Sequence, residues 1–132
     1  MLDALRGLGR PRATVSVVLG DDRLVRGLNR DYRDLDETTD VLSFAMADPE
    51  ALRNTEAAVF LGEIYVSVET ARRQARGHRR PFPRELAHLV IHGLLHLVGH
   101  DHRTRGQARL MQREERRLMR ALAGRIAALQ VL

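Results

Sequence analysis

The chain has no cysteine among its 132 residues. That excludes a disulfide framework and a thiolate metal site, so any metal has to be held by histidine or carboxylate. No apolar run reaches the roughly 18 residues a membrane span needs, and no membrane partner is expected. The opening stretch MLDALRGLGRP lacks an apolar central segment and a small-residue cleavage site, so it does not read as a signal peptide. The expectation is a soluble protein of the cytoplasm. Aromatic residues are equally scarce: Tyr32, Phe44, Phe60, Tyr65 and Phe82 are all there are. Base stacking is therefore a poor principal grip for a nucleic acid.

Positive charge is not scarce. Arginine supplies every cation, the net charge is +5 and the isoelectric point is near 11.0. Such a balance suits a polyanion such as RNA or DNA, and equally suits a solvated arginine-rich surface. Hydrophobic residues make up 44%, enough for one core and not two, which predicts a single domain over 1–132.

The pattern along the chain mixes strands and helices without strict alternation. ATVSVVLG (13–20), VLSFAM (41–46) and LGEIYVSV (61–68) read as strands, the first by its β-branched residues and terminal glycine. DDRLVRGLNRDYR (21–33) starts on an aspartate cap and spaces Leu24, Val25, Leu28 and Tyr32 along one face, so it reads as a helix. Residues 47–57 read as a loop. The segment ETARRQARGHRR is a basic helix, and Pro83 opens another that runs from about Arg84 to Val98. TRGQ (104–107) resembles a capping box ahead of a last helix striped by Leu110, Met111, Leu118, Met119, Leu122, Ile126 and Leu129. The fold class expected is α+β, a small mixed sheet covered by helices.

Five of the six histidines lie in HLVIHGLLHLVGHDH (88–102). The helix carrying them is apolar nearly all round and so is buried, and a row of buried imidazoles carries a desolvation cost unless something engages their nitrogens. His88, His92 and His96 are four apart, about 6 Å between neighbours on one face, so two of them can chelate one ion. A third ligand has to arrive from another direction. Gly99 ends the helix in a position that favours positive φ, and His100 and His102 beyond it are both candidates. Read from His92, the spacing is H-x-x-x-H-x-x-G-x-x-H, the zinc-ligand spacing of the metzincins. Metzincin peptidases place a glutamate base directly after the first histidine; here that residue is Gly93, which argues against peptide hydrolysis.

ELAHLVIHGLLHLVGHDH (85–102) resembles the signature of the YbeY family of bacterial endoribonucleases and ribosomal RNA maturation factors. LNRDYRDLDETTDVLSFAM (28–46) and LGEIYVS (61–67) resemble two further segments of that family. The resemblance implies one Zn²⁺ per chain on His92, His96 and His102, a zincin-like site on the buried helix. It implies single-strand-specific cleavage of RNA in maturing the 3′ end of 16S rRNA and in 70S ribosome quality control, with ribosomal RNA and the small ribosomal subunit as partners and no DNA. Arg33 matches the family's functional arginine, suited to a phosphate by its planar fork.

The resemblance assigns His88 to the surroundings of the ligands or the pocket wall. Asp101 either orients a ligand imidazole or stabilises the turn. Asp40, Ser43 and Glu63 are expected near the cleft without chemistry, Glu63 as an exposed edge charge in its plainest reading. Arg72, Arg73 and Arg76, with Arg79 and Arg80, either track an RNA backbone or form a solvated helix face. The family also has a strand and a longer helix ahead of the segment matching ATVSVVL. About a dozen residues precede it here, so that edge strand is expected to be missing. Two other readings stand beside the nuclease: a ribosome-assembly factor with a structural zinc, and a metal-dependent hydrolase of another substrate.

Overall fold

The computed structural model describes residues 2–123. In chain order they form α1 (Leu2–Gly7), β1 (Thr14–Gly20), α2 (Asp22–Arg33), β2 (Val41–Ala45), α3 (Pro49–Arg53), β3 (Phe60–Ser67), α4 (Val68–Gly77), α5 (Phe82–Leu97) and α6 (Arg105–Ala121). The three strands make one mixed sheet of order β1-β3-β2, with β1 parallel and β2 antiparallel to β3. The α+β expectation stands. The residues that precede β1 form α1 rather than a strand, and residues 49–53, expected as loop, make a short helix. Asp48 caps that helix through the Ala51 N–H at 2.7 Å, and Pro49 suits its first turn.

The helix starts follow their capping residues. Asp21 accepts from the Leu24 N–H at 2.8 Å, and Thr104 with Gln107 completes the capping box of α6. Pro83 sits in the first turn of α5, where a missing N–H leaves no orphan. On α2 the buried positions are Val25 and Asn29, whereas Leu24 and Tyr32 are exposed. The buried face is thus rotated from the all-apolar one, because the Asn29 side chain donates to the Glu37 carbonyl at 2.9 Å and ties down the following loop.

β3 is the central strand, so it is buried most: Leu61, Ile64 and Val66 are fully enclosed. They pack with Leu86, Leu89, Leu94 and Leu97 of α5 and with Ala71 of α4. A smaller cluster of Ile91, Leu95, Met111 and Leu118 joins α5 to α6. Each fully buried Leu or Ile contributes about 1.5–3 kcal/mol, which makes α5 the element that ties sheet and helices together. On α6 the apolar stripe is narrower than expected, for Leu110 is exposed. Ile126 and Leu129 lie outside the described residues.

Candidate metal centre and cleft

α5 approaches β2 and β3 closely because residue 93 has no side chain. A Cβ there would meet Ile64 Cγ2 at 2.8 Å and Ser43 Oγ at 2.9 Å. The Ser43 hydroxyl donates instead to the Gly93 carbonyl at 3.0 Å, fixing the helix against the strand. The glycine that argued against a peptidase base is a packing requirement.

His92 and His96 flank Gly93 on α5, half-buried, and face the same cleft as β2. After the helix, Gly99 takes φ of 104°, a conformation that side chains disfavour, and the chain doubles back. Asp101 Oδ1 accepts from the His102 backbone N–H at 2.8 Å, and its other oxygen meets Arg103 at 3.1 Å. That bond to the His102 N–H, more than the nearby arginine, holds its carboxyl below the usual range. Of its two expected roles, Asp101 therefore takes the turn-stabilising one, bonded to the His102 backbone N–H and paired with Arg103. The turn brings His102, exposed, back to the helix. One ring nitrogen from each of His92, His96 and His102 lies within 4.8 Å of the other two, and the Nε2 atoms of His92 and His96 are 3.2 Å apart. His100 stands outside this group, its N–H bonded to the Leu95 carbonyl at 3.0 Å.

These nitrogens fit a divalent metal. A tetrahedral ion with bonds of about 2.0–2.1 Å separates its ligand nitrogens by about 3.3 Å, close to the His92–His96 distance of 3.2 Å, and His102 offers a third nitrogen within 4.8 Å of both. Three neutral imidazoles are a donor set that suits zinc. Burial and the two neighbouring imidazoles hold His96 below its ordinary pKa, which keeps its nitrogen lone pair free.

One residue went unnoticed in the sequence. Glu115, on α6, accepts from His92 Nδ1 at 2.7 Å and from His88 Nε2 at 3.2 Å. With Nδ1 so engaged, the Nε2 of His92 is the atom turned to the cluster. Burial raises the Glu115 carboxyl, but the bonds from His88 and His92 outweigh it and bring it to about 2. The same bond holds His88 above its ordinary value despite burial. Glu115 sits in the run REER (113–116), where nothing in spacing separates it from a solvated charge.

The cluster opens on a cleft of about 920 Å³ whose far wall is β2 and the end of α2. Arg33 lines it. Its Nη2 donates to the Ser43 carbonyl at 2.8 Å, and its guanidinium lies 5.4 Å from the centre of the Phe44 ring, a cation–π arrangement. Asp40 and Ser43 line the same cleft, as does the exposed Tyr32. Glu63 is no edge charge: it lies on the central strand and accepts from the Tyr65 hydroxyl. The basic run on α4 is elsewhere. Arg73 pairs with Asp22 at 2.8 Å, Arg72 covers the Phe82 ring at 4.1 Å and Arg76 is exposed; none lines the histidine cleft.

The family model described as Endoribonuclease YbeY matches residues 4–123. The chain belongs to the YbeY family. Among its relatives, an endoribonuclease YbeY of Rhodopseudomonas palustris (strain BisA53) is 44% identical over 110 residues, 83% of this chain and 64% of that protein. One from Pelotomaculum thermopropionicum is 43% identical over 107 residues, 81% of this chain and 70% of that one. One from an Anaeromyxobacter species (strain Fw109-5) is 44% identical over 117 residues, 89% and 58%. This YbeY-family chain thus spans from 58% to 70% of these relatives' lengths. A protein of Thermotoga maritima solved in solution superposes with a TM-score of 0.60 at 25% identity, covering 98% of this chain and 83% of that one. No helix among the described residues is long and apolar enough to cross a membrane.

Proposed function

We propose that this chain is a single-domain, zinc-dependent endoribonuclease acting on single-stranded RNA, with His92, His96 and His102 as metal ligands and Arg33 as the phosphate-binding group. The observation that carries the reading is the convergence of three imidazole nitrogens beside an arginine on one open cleft. Zinc at that position would supply a Lewis acid for a phosphate oxygen and raise the acidity of water. The chain's own residues do the rest. Glu115 fixes the tautomer and ring plane of His92. Ser43 and Phe44 hold Arg33, whose remaining N–H donors can take two phosphate oxygens and stabilise the charge that builds there. Asp101, already bonded to the His102 N–H and paired with Arg103, is a poor proton acceptor. Water and the ribose 2′-OH are both open as attacking groups; a cyclic phosphate end on the product marks the second.

The substrate we infer is the 3′ end of 16S rRNA, with a further part in 70S ribosome quality control, in the cytoplasm and in contact with the small ribosomal subunit. The name of the family and the basic surface support RNA; the specific site is the family's, carried here by likeness. The exposed His102 and the open cleft favour catalysis over a structural zinc in an assembly factor. Cleavage of a labelled single-stranded RNA by folded Arg33→Ala and His92→Ala variants tests the reading. Each is expected to lose about 100-fold or more in rate. If both cleave like the wild type, the activity belongs to a contaminant and the assembly-factor reading replaces this one.

A further inference from the structure

Beyond the cleft, along the same face of α5, lies a second cavity of about 310 Å³ between α5 and α6. Arg80, Arg84, Arg116 and Arg120 surround it, with His88 and Glu115 at its inner wall. Among the described residues no carboxylate reaches Arg84, Arg116 or Arg120 within ion-pair distance, and Arg80 has only Glu85 at 3.8 Å. Arg116 and Arg120 are four apart on α6, a like-charge spacing that costs an isolated helix stability. The single acid in the wall does not neutralise them, because Glu115 is already shared by His88 and His92. The pocket is a concentration of uncompensated guanidinium groups.

Its position connects it to the histidines. His88 and His92 are one helical turn apart, about 6 Å, and they bind the two oxygens of one carboxylate. Glu115 is therefore the partition between the cleft and the arginine pocket. Among the described residues no Phe, Tyr or Trp lines the pocket, and Met119 is its apolar wall, so charge rather than base stacking dominates it. A group of guanidinium forks matches a phosphate, which each can hold through two N–H donors.

We propose that this pocket is a second phosphate subsite, holding a backbone phosphate of the RNA strand whose neighbouring nucleotide occupies the histidine cleft. The inference rests on the nuclease reading for the identity of the strand. It predicts that RNA long enough to pass Glu115 binds more tightly than a dinucleotide confined to the cleft.

The test uses the full chain, a labelled single-stranded 2′-O-methyl RNA of about 12 nucleotides and a dinucleotide, with binding read by fluorescence anisotropy across a salt series. Arg116→Gln with Arg120→Gln is expected to weaken the long RNA about tenfold and to flatten its salt slope by about 1–2, leaving dinucleotide binding unchanged. Arg109→Gln with Arg113→Gln removes the same charge from exposed positions of α6 outside the pocket and is expected to change neither. Equal weakening by the two double variants, or none by the first, overturns the subsite. So does a pocket-dependent rise in melting temperature with inorganic phosphate, or displacement by polyglutamate, without any effect on RNA; those results assign the pocket to a free anion or an acidic protein. Wild-type protein that binds long RNA with this dependence but cleaves none would sink the nuclease reading and leave the subsite standing. Cleavage with no response to either variant would sink the subsite alone, and absence of both binding and cleavage sinks both.

Discussion

Replacing Glu115 by alanine removes the carboxylate that, among the described residues, braces the histidine cluster. Two bonds go with it, 2.7 Å to His92 and 3.2 Å to His88. The first sets which nitrogen of His92 faces the cluster, so its loss frees the ring to turn and to change tautomer. Carboxylates in this role are worth about 10–100-fold in metal affinity, or about 1.4–2.7 kcal/mol. Glu115→Gln keeps one oxygen that can accept from His92 Nδ1 but loses the charge and the second acceptor that meets His88, so it belongs at the lower end; Glu115→Ala belongs at the upper. His88→Gln breaks just the longer bond and is expected to stay within about threefold of the wild type. Competition for zinc against a chromophoric chelator near neutral pH reads all three, with melting curves to confirm that each variant is folded. Equal zinc affinity for Glu115→Ala and wild type, while His92→Ala loses it, would refute the bracing argument and leave Glu115 as a helix-to-helix tie.

Gly93→Ala pushes a methyl group into Ile64 and Ser43, both within 3 Å of its position, and is expected to cost about 1–3 kcal/mol in urea unfolding; an unchanged midpoint would show that α5 can shift without strain. Asp22 accepts from Ser67 at 2.5 Å and from Thr70 at 2.6 Å, and pairs with Arg73. The Ser67 bond first, then those from Thr70 and Arg73, hold its carboxyl well below the ordinary 3.8. A depressed folded value means stability that is full above about pH 4 and is lost as the pH falls further. The stability gap between wild type and Asp22→Asn should therefore close in strong acid; a gap that persists there would mean the hydroxyl bonds alone carry it. Arg33→Ala, exposed at the end of α2, should lower RNA cleavage with little change in melting temperature, and a large drop in melting temperature would recast it as a structural residue.

The strands, the span of α5 to within two residues, the start of α6 and the turn at Gly99 were legible because each rests on local chemistry: β-branched alternation, Pro83, the Thr104 box and a glycine where φ is positive. His92, His96 and His102 were legible as a group because helical pitch and a glycine turn fix their separation. What spacing could not reveal is whatever depends on another element. Glu115 meets the histidines only because α6 folds back on α5. The role of Gly93 depends on β2 and β3 lying beneath it, and Asn29 is buried because a loop closes over it. Glu63 read as an edge charge because strand order is not written in any one strand. The short α3 escaped because five residues carry too little periodicity to stand out from a polar loop.

The brace and the braced residues are held together by different amounts of core. His92 and His96 ride on a helix anchored in the sheet, whereas Glu115 rides on α6, which is attached through the small cluster of Ile91, Leu95, Met111 and Leu118. Partial opening that detaches α6 leaves the sheet and α5 intact but takes away both the grip on His92 and half of the arginine pocket. Warming should thus disarm the molecule before it melts, so that heat inactivation and loss of the sheet are separate events.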